Sequence, residues 1–184
     1  MTVLLRAKSL GNVKHSCVPS VASATLRDVE RNIKMEQIVQ LNSKANLSEH
    51  FLLGEFTRSN HPEVYNIPSH EVIAHLKNLC TWLEVLREKV SQPIIINSGY
   101  RSPQLNRKVG GAPTSNHLTG CAVDIRTSGY EQTIVYAAIL INYAKESQQE
   151  FDELLIEKNR YGAVWLHFAV RPKDNRHKVN FLTT

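Results

Sequence analysis

Ser115-Asn-His117-Leu-Thr-Gly120-Cys-Ala-Val-Asp124, followed forty residues later by Trp165-Leu-His167, decides how this chain reads. Gly120 lets the backbone turn sharply after His117, and Cys121 to Ile125 then runs as a short strand that returns a carboxylate towards the imidazole. Farther along, Ala163-Val-Trp-Leu-His-Phe-Ala-Val170 alternates with period two. Val164, Leu166, Phe168 and Val170 fall on one face, a core face, while Trp165 and His167 fall on the other and face a cleft. An aspartate pointing inward from an otherwise apolar strand needs a partner to offset its desolvation. His117, Asp124 and His167 together supply two imidazole nitrogens and one carboxylate oxygen. That set holds zinc and leaves the fourth tetrahedral position open, which points to catalysis rather than to a structural metal.

Upstream, Pro93-Ile-Ile-Ile96 is an apolar run that reads as a buried strand ending at the cleft, and Ser98-Gly-Tyr-Arg101 follows it. Ser102 starts a short helix from Pro103 to Val109, which Gly110 ends. Ser98 and Ser115 either orient the cleft or bind substrate, and Trp165 is a further candidate for substrate contact.

The ordered set Asn97-Ser-Gly-Tyr-Arg-Ser-Pro-Gln-Leu-Asn106, Val109-Gly-Gly-Ala112, Ser115-Asn-His-Leu-Thr-Gly120, Ala122-Val-Asp124 and Trp165-Leu-His167 resembles the zinc D-alanyl-D-alanine carboxypeptidase family of peptidoglycan peptidases, phage and bacterial type. The resemblance covers roughly residues 46 to 171, and Leu47 to Ser59 is similar to the opening segment of such members. It implies a lysostaphin- or hedgehog-like zinc fold and a zinc-dependent murein peptidase. The substrate would be a peptidoglycan stem peptide, cut at a bond involving a D-amino acid. Carboxypeptidase and endopeptidase action both remain open. By the same resemblance Arg101 faces the substrate, where a guanidinium suits an oxyanion or a carboxylate.

Hydrolysis also needs a general base. Many members of the resembled family carry Glu or Asp three positions before the last histidine, but here Val164 stands there and the alternation turns it into the core. Resemblance to members with a Trp-x-His ending favours Glu157 as the base, with Glu153 in reserve. Parity permits both: if Leu154 and Ile156 share the core face with Leu166 and Phe168, then Glu153, Leu155 and Glu157 lie on the His167 face. A simple hairpin closed by residues 158–162 places Glu153 opposite His167 and leaves Glu157 nearer the turn, so Glu157 needs a bulge or an altered register to reach the metal. A catalytically inactive zinc-bearing module that binds cell wall or protein is the alternative function.

The rest of the chain frames this site. With 184 residues, 42% apolar and 21% charged, one compact domain is expected. Pro68 and Ser69 open a helix to Val90 whose Val72, Leu76, Leu79, Leu83, Leu86 and Val90 recur every three or four residues as a core stripe. A second helix, about Gln132 to Lys145, is expected to cover the other side of a small antiparallel sheet, giving an α+β, hedgehog-like single domain. Residues 1–45 read as an extension, partly disordered or preceding the true start; 46–171 as the zinc peptidase domain; 172–184 as a basic C-terminal tail. Cys17, Cys80 and Cys121 are widely spaced and odd in number, which argues against a disulfide framework, and Cys121 reads as a small packing residue. No apolar run is long enough to span a membrane, and Met1 to Leu10 lacks the apolar core of a secretory signal. The expectation is a monomer that stays cytoplasmic until release onto the wall, as a phage lysin does. The net charge of +5 and pI near 9.2 come from scattered basic residues with only 7% aromatic content, which argues against nucleic acid and suits an anionic wall polymer.

Overall fold

The computed structural model describes residues 44–183. A short helix, α1 (Leu53–Thr57), opens the domain, and Glu55 reaches back to accept a hydrogen bond from the Leu52 amide at 2.7 Å. Ser69 accepts from the Val72 amide at 3.3 Å and caps α2 (His70–Val90), which ends at Ser91 in the left-handed conformation. Then come β1 (Ile96–Ser98), α3 (Pro103–Lys108), β2 (Ala122–Arg126), α4 (Tyr130–Ser147), β3 (Glu153–Lys158), β4 (Val164–Ala169) and β5 (Lys178–Thr183). The strands form one five-stranded sheet in the order β1-β2-β4-β3-β5. This is a small α+β single domain.

Both long helices lie on one face of the sheet. Leu76, Leu79, Leu83 and Leu86 of the expected α2 stripe are fully buried, each worth about 1.5–3 kcal/mol by removal from water. Trp82 joins them, its ring 4.9 Å from Tyr143 on α4 and 5.3 Å from Phe168 on β4. Tyr136, Ala137, Leu140 and Ala144 of α4 belong to the same cluster as Val123, Ile125, Leu154, Ile156, Leu166 and Phe168 from the strands. This corrects the expectation that the second helix covers the other side. The opposite face carries Asp124, His167, Glu153 and Glu157, groups that no apolar helix could seal without an uncompensated desolvation cost.

Two further expectations are corrected. The sheet is mixed rather than antiparallel, because β5 runs parallel to β3 with Glu153 opposite Lys178. The segment read as a basic tail is therefore part of the sheet. Its return is fixed by Asp152, fully buried, which receives Arg176 Nε at 2.8 Å and Nη2 at 2.6 Å. That ion pair brings the chain alongside the start of β3 and sends it the same way. The extension read over residues 1–45 lies, except for its last two residues, outside the described residues, as does Cys17. Cys80 and Cys121 are buried and unpaired, and burial pushes the Cys80 thiol up to about 12. Among the described residues no helix is long and apolar enough to cross a membrane.

Candidate metal centre

Each of the three candidate ligands is placed by a local feature of the chain. Ser115 accepts from the His117 amide at 3.3 Å and caps a 3-10 turn, Asn116–Thr119. The turn ends at Gly120, whose φ is 72° and where an added Cβ would sit 2.8 Å from Val72 Cγ1 and 2.9 Å from Val72 O. Only glycine satisfies both the dihedral and the close approach of α2. Two residues later β2 begins, and Asp124 stands directly opposite His167 of β4 in the antiparallel register. Sheet register and one glycine turn thus bring together residues fifty positions apart.

The ligand atoms of His117, Asp124 and His167 all lie within 4.8 Å of one another and all three residues are buried. Asp124 Oδ1 is 2.9 Å from His167 Nδ1 and 3.3 Å from His117 Nε2. The other ring nitrogen of His117, Nδ1, is 2.6 Å from the Gly99 carbonyl and must be the donor there. Burial pushes the His117 imidazole down against the opposing pull of Asp124. With Nδ1 engaged by Gly99, Nε2 is the nitrogen that faces the carboxylate, and it converges with Asp124 and His167 as two imidazole nitrogens and a carboxylate oxygen around one point. The donor set therefore fits a metal ion on the chemistry of its own atoms.

Burial opposes the charge of Asp124, but the two imidazoles outweigh it and hold the carboxyl well below the usual carboxylate range. Its second oxygen, Oδ2, accepts from Arg101 Nη2 at 2.7 Å, and Arg101 Nε donates to Ser98 Oγ at 2.9 Å. Arg101 is thus anchored to a candidate ligand as well as lining the cleft. For His167, burial works against the charged form, yet Asp124 and Glu153 prevail and push it up to about 9 in the metal-free chain.

The cleft has a volume of about 610 Å³, of the size that takes small ligands, and its lining includes Arg101, Ser115, Glu153, Glu157 and Trp165 beside the three candidate ligands. Ser98 does not line it; its hydroxyl instead holds Arg101. The hairpin register differs from the simple expectation. Leu155, not Glu153, stands opposite His167, with Glu153 opposite Ala169 and Glu157 opposite Trp165. The turn closes with a Lys158–Val164 pair, and Asn159 Oδ1 accepts from the amides of Tyr161 and Ala163, both at 3.0 Å, which widens the loop by enough to shift the pairing. No bulge is needed: the two glutamates flank Leu155 symmetrically on the cleft face.

Their surroundings differ sharply. Glu153 lies 3.6 Å from His167 Nε2 and accepts from Asn116 Nδ2 at 3.1 Å and Lys178 Nζ at 3.2 Å, with Arg176 Nη2 at 3.1 Å. His167, and then the Lys178 and Arg176 cations, hold it at about 2 against partial burial. Glu157 has no ion-pair partner among the described residues, and burial followed by repulsion from Asp124 pushes its carboxyl up. Asn116, Asp152, Arg176 and Lys178 are parts of this site that sequence reasoning missed. The alternation in Val179-Asn-Phe181 was the available signal for the strand that carries Lys178.

None of the curated proteins compared with the chain matches it. Among solved structures, the L-Ala D-Glu endopeptidase ChiX of Serratia marcescens is similar at 17% identity with a TM-score of 0.37, over 61% of this chain and 94% of that one. Residues 49–155, more than half of the chain, match the family described as Peptidase M15. The matched span holds Arg101, His117, Asp124 and Glu153, and it agrees with the resemblance carried by the motifs. This chain is a member of the Peptidase M15 family.

Proposed function

We propose that this chain is a zinc-dependent murein peptidase that hydrolyses a peptide bond involving a D-amino acid in the stem peptides of peptidoglycan. One observation carries the reading: a buried cluster of two histidines and an aspartate shares a cleft with Glu157, a half-buried carboxylate without an ion-pair partner among the described residues. Zinc held by His117, Asp124 and His167 supplies Lewis acidity, which polarises a carbonyl and acidifies water.

Glu157 is the general base. Its burial and the nearby Asp124 charge raise its proton affinity towards working pH, which suits a group that must both take and give a proton. It takes the proton of the attacking water as the oxygen bonds to the scissile carbonyl carbon. It then delivers that proton to the amide nitrogen as the carbon–nitrogen bond breaks, and the carboxylate is regenerated. Glu153 is unsuited to this work, since three cationic or amide donors occupy it. Arg101 uses Nε and Nη2 to hold Ser98 and Asp124, and its remaining Nη1 is the donor that meets the developing oxyanion or a substrate carboxylate. Trp165, in register with Glu157, offers a flat apolar wall for the substrate, and Ser115 borders the same cleft. The net charge of +5 favours adsorption to an anionic wall after release.

The test is digestion of purified peptidoglycan with mass spectrometry of the released fragments, with a chelator and with zinc restored. Cleavage that chelation stops and zinc restores is expected, and fragment masses then separate carboxypeptidase from endopeptidase action. A folded, zinc-loaded chain that cleaves no wall chemotype would instead be a binding module.

A further inference from the structure

Glu153 is left over by this mechanism, yet the fold invests heavily in it. His167 Nε2 is a buried polar nitrogen without a hydrogen-bond partner among the described residues, and its nearest charged neighbour is Glu153 Oε2 at 3.6 Å. Oε2 accepts one hydrogen bond, from Asn116 Nδ2 at 3.1 Å, and so retains a lone pair. Oε1 takes Lys178 Nζ at 3.2 Å and Arg176 Nη2 at 3.1 Å. Arg176 is itself locked to the fully buried Asp152, which also receives Asn116 Nδ2 at 2.7 Å. The Glu153 carboxylate is thus pinned from the C-terminal strand on one side and from the residue preceding His117 on the other.

We propose that Glu153 is a positioning residue for the metal centre: it accepts a hydrogen bond from the Nε2–H of His167, so that Nδ1 is the nitrogen presented to the ion beside Asp124 Oδ1, and the C-terminal strand holds it there. The inference rests on the metal-centre reading given above. An imidazole offers a metal one nitrogen and keeps its proton on the other; with Asp124 itself among the ligands, Glu153 is the carboxylate left to accept from the protonated nitrogen. Nδ1 lies 2.9 Å from Asp124 Oδ1 and faces the other candidate ligands, whereas Nε2 faces Glu153. A displacement of about 0.7 Å converts the 3.6 Å separation into a charge-assisted hydrogen bond. Arg176 and Lys178, from the C-terminal segment, thereby become part of the metal site.

The test uses the whole chain and two metal ions alone. Zn2+ affinity is measured by competition with a chelating indicator, and the visible spectrum of the Co2+-loaded chain reports ligand geometry. Glu153→Ala is expected to weaken Zn2+ binding about 10- to 100-fold and to alter the Co2+ bands. Glu153→Gln, which keeps an acceptor oxygen without the charge, is expected to recover a clear part of that loss and the wild-type bands. Equal losses in the two variants would mean that only the charge matters, and unchanged affinity in Glu153→Ala would remove any role; either overturns the proposal. Long-range 1H–15N spectra of the zinc-loaded wild-type chain need no variant: His167 must show a protonated Nε2 and a coordinated Nδ1, and the reverse assignment overturns the proposal even where Glu153→Ala fails to fold. A wild-type chain that binds no Zn2+ refutes the metal-centre reading itself, an outcome distinct from all of these.

Discussion

The two faces of the central sheet are built from the same strands on opposite terms. On the helix face, Leu154, Ile156, Leu166 and Phe168 are 5% exposed or less and lie against Trp82 and the two long helices. On the cleft face the same hairpin presents Glu153, Glu157, Trp165 and His167, with Leu155 between. One face is held by apolar burial, which is non-directional and depends on which side of the sheet a residue faces. The other is held by ion pairs and hydrogen bonds between named atoms, where a change of one donor leaves another group buried and unpaired. Substitutions on the first face should therefore unfold the protein, and on the second should disable it while folded.

Glu157→Ala tests the cleft side most severely. Activity on peptidoglycan is expected to fall about 100- to 10,000-fold, as for loss of a general base. Zn2+ affinity and the midpoint of urea unfolding should stay near wild type, because no ion pair among the described residues depends on Glu157. A parallel loss of metal would place Glu157 among the ligands instead. Phe168→Ala is the matching cut on the core side. Its ring lies 5.3 Å from Trp82 and 5.9 Å from Phe151 with no exposure, so about 3–5 kcal/mol of stability should be lost in denaturant titration. Any residual activity should scale with the folded fraction. Gly120→Ala joins the two faces, since its new Cβ would press on the α2 backbone at Val72 while forcing a positive φ on alanine. About 1–3 kcal/mol of strain is expected, together with weaker Zn2+ binding from a displaced His117. Stability lost without any change in metal affinity would show that the turn and the ligand are independent.

The core face was legible because its code is periodic. Leucines at three- and four-residue spacing mark α2, and alternation around His167 sorts β4 into two faces. Much of the site was legible too, since His117, Asp124, His167 and Arg101 occur in short motifs whose order survives folding. What escaped reading depends on pairing between distant segments. Register in the β3–β4 hairpin turns on Asn159 capping two loop amides, a detail of turn chemistry rather than of hydrophobic pattern. The placement of α4 beside α2 followed from polar groups on the far face, and so required the site to be known before the layers. The C-terminal strand was hidden by its own charge: Arg176 and Lys178 read as solvated residues because their partners, Asp152 and Glu153, are more than twenty positions away.

The smallest expected effect concerns those same partners and separates them from the core by pH. Burial opposes ionisation of Asp152, but Arg176 and Asn116 overcome it and hold its carboxyl at about 2, below the ordinary 3.8. Glu153 is likewise held at about 2 against an ordinary 4.5. A carboxyl depressed in the folded state binds its proton more readily when unfolded. Its stabilising contribution is thus complete above the ordinary value and disappears as pH falls through the depressed one. For the metal-free chain, unfolding free energy should rise as pH falls from about 9 to about 6.5, where His167 takes up its proton, hold to about pH 5, and then fall as pH approaches 2, with Asp152, Glu153 and Asp124 each adding a slope of at most about 1.4 kcal/mol per pH unit. Asp152→Asn should remove only its own share, leaving a shallower slope from Glu153 and Asp124, while Phe168→Ala should lower the whole curve and leave its slope unchanged. If Asp152→Asn leaves the acid limb as steep as in the wild type, the buried pair with Arg176 does not carry the acid sensitivity, and the β5 junction is held by strand pairing alone.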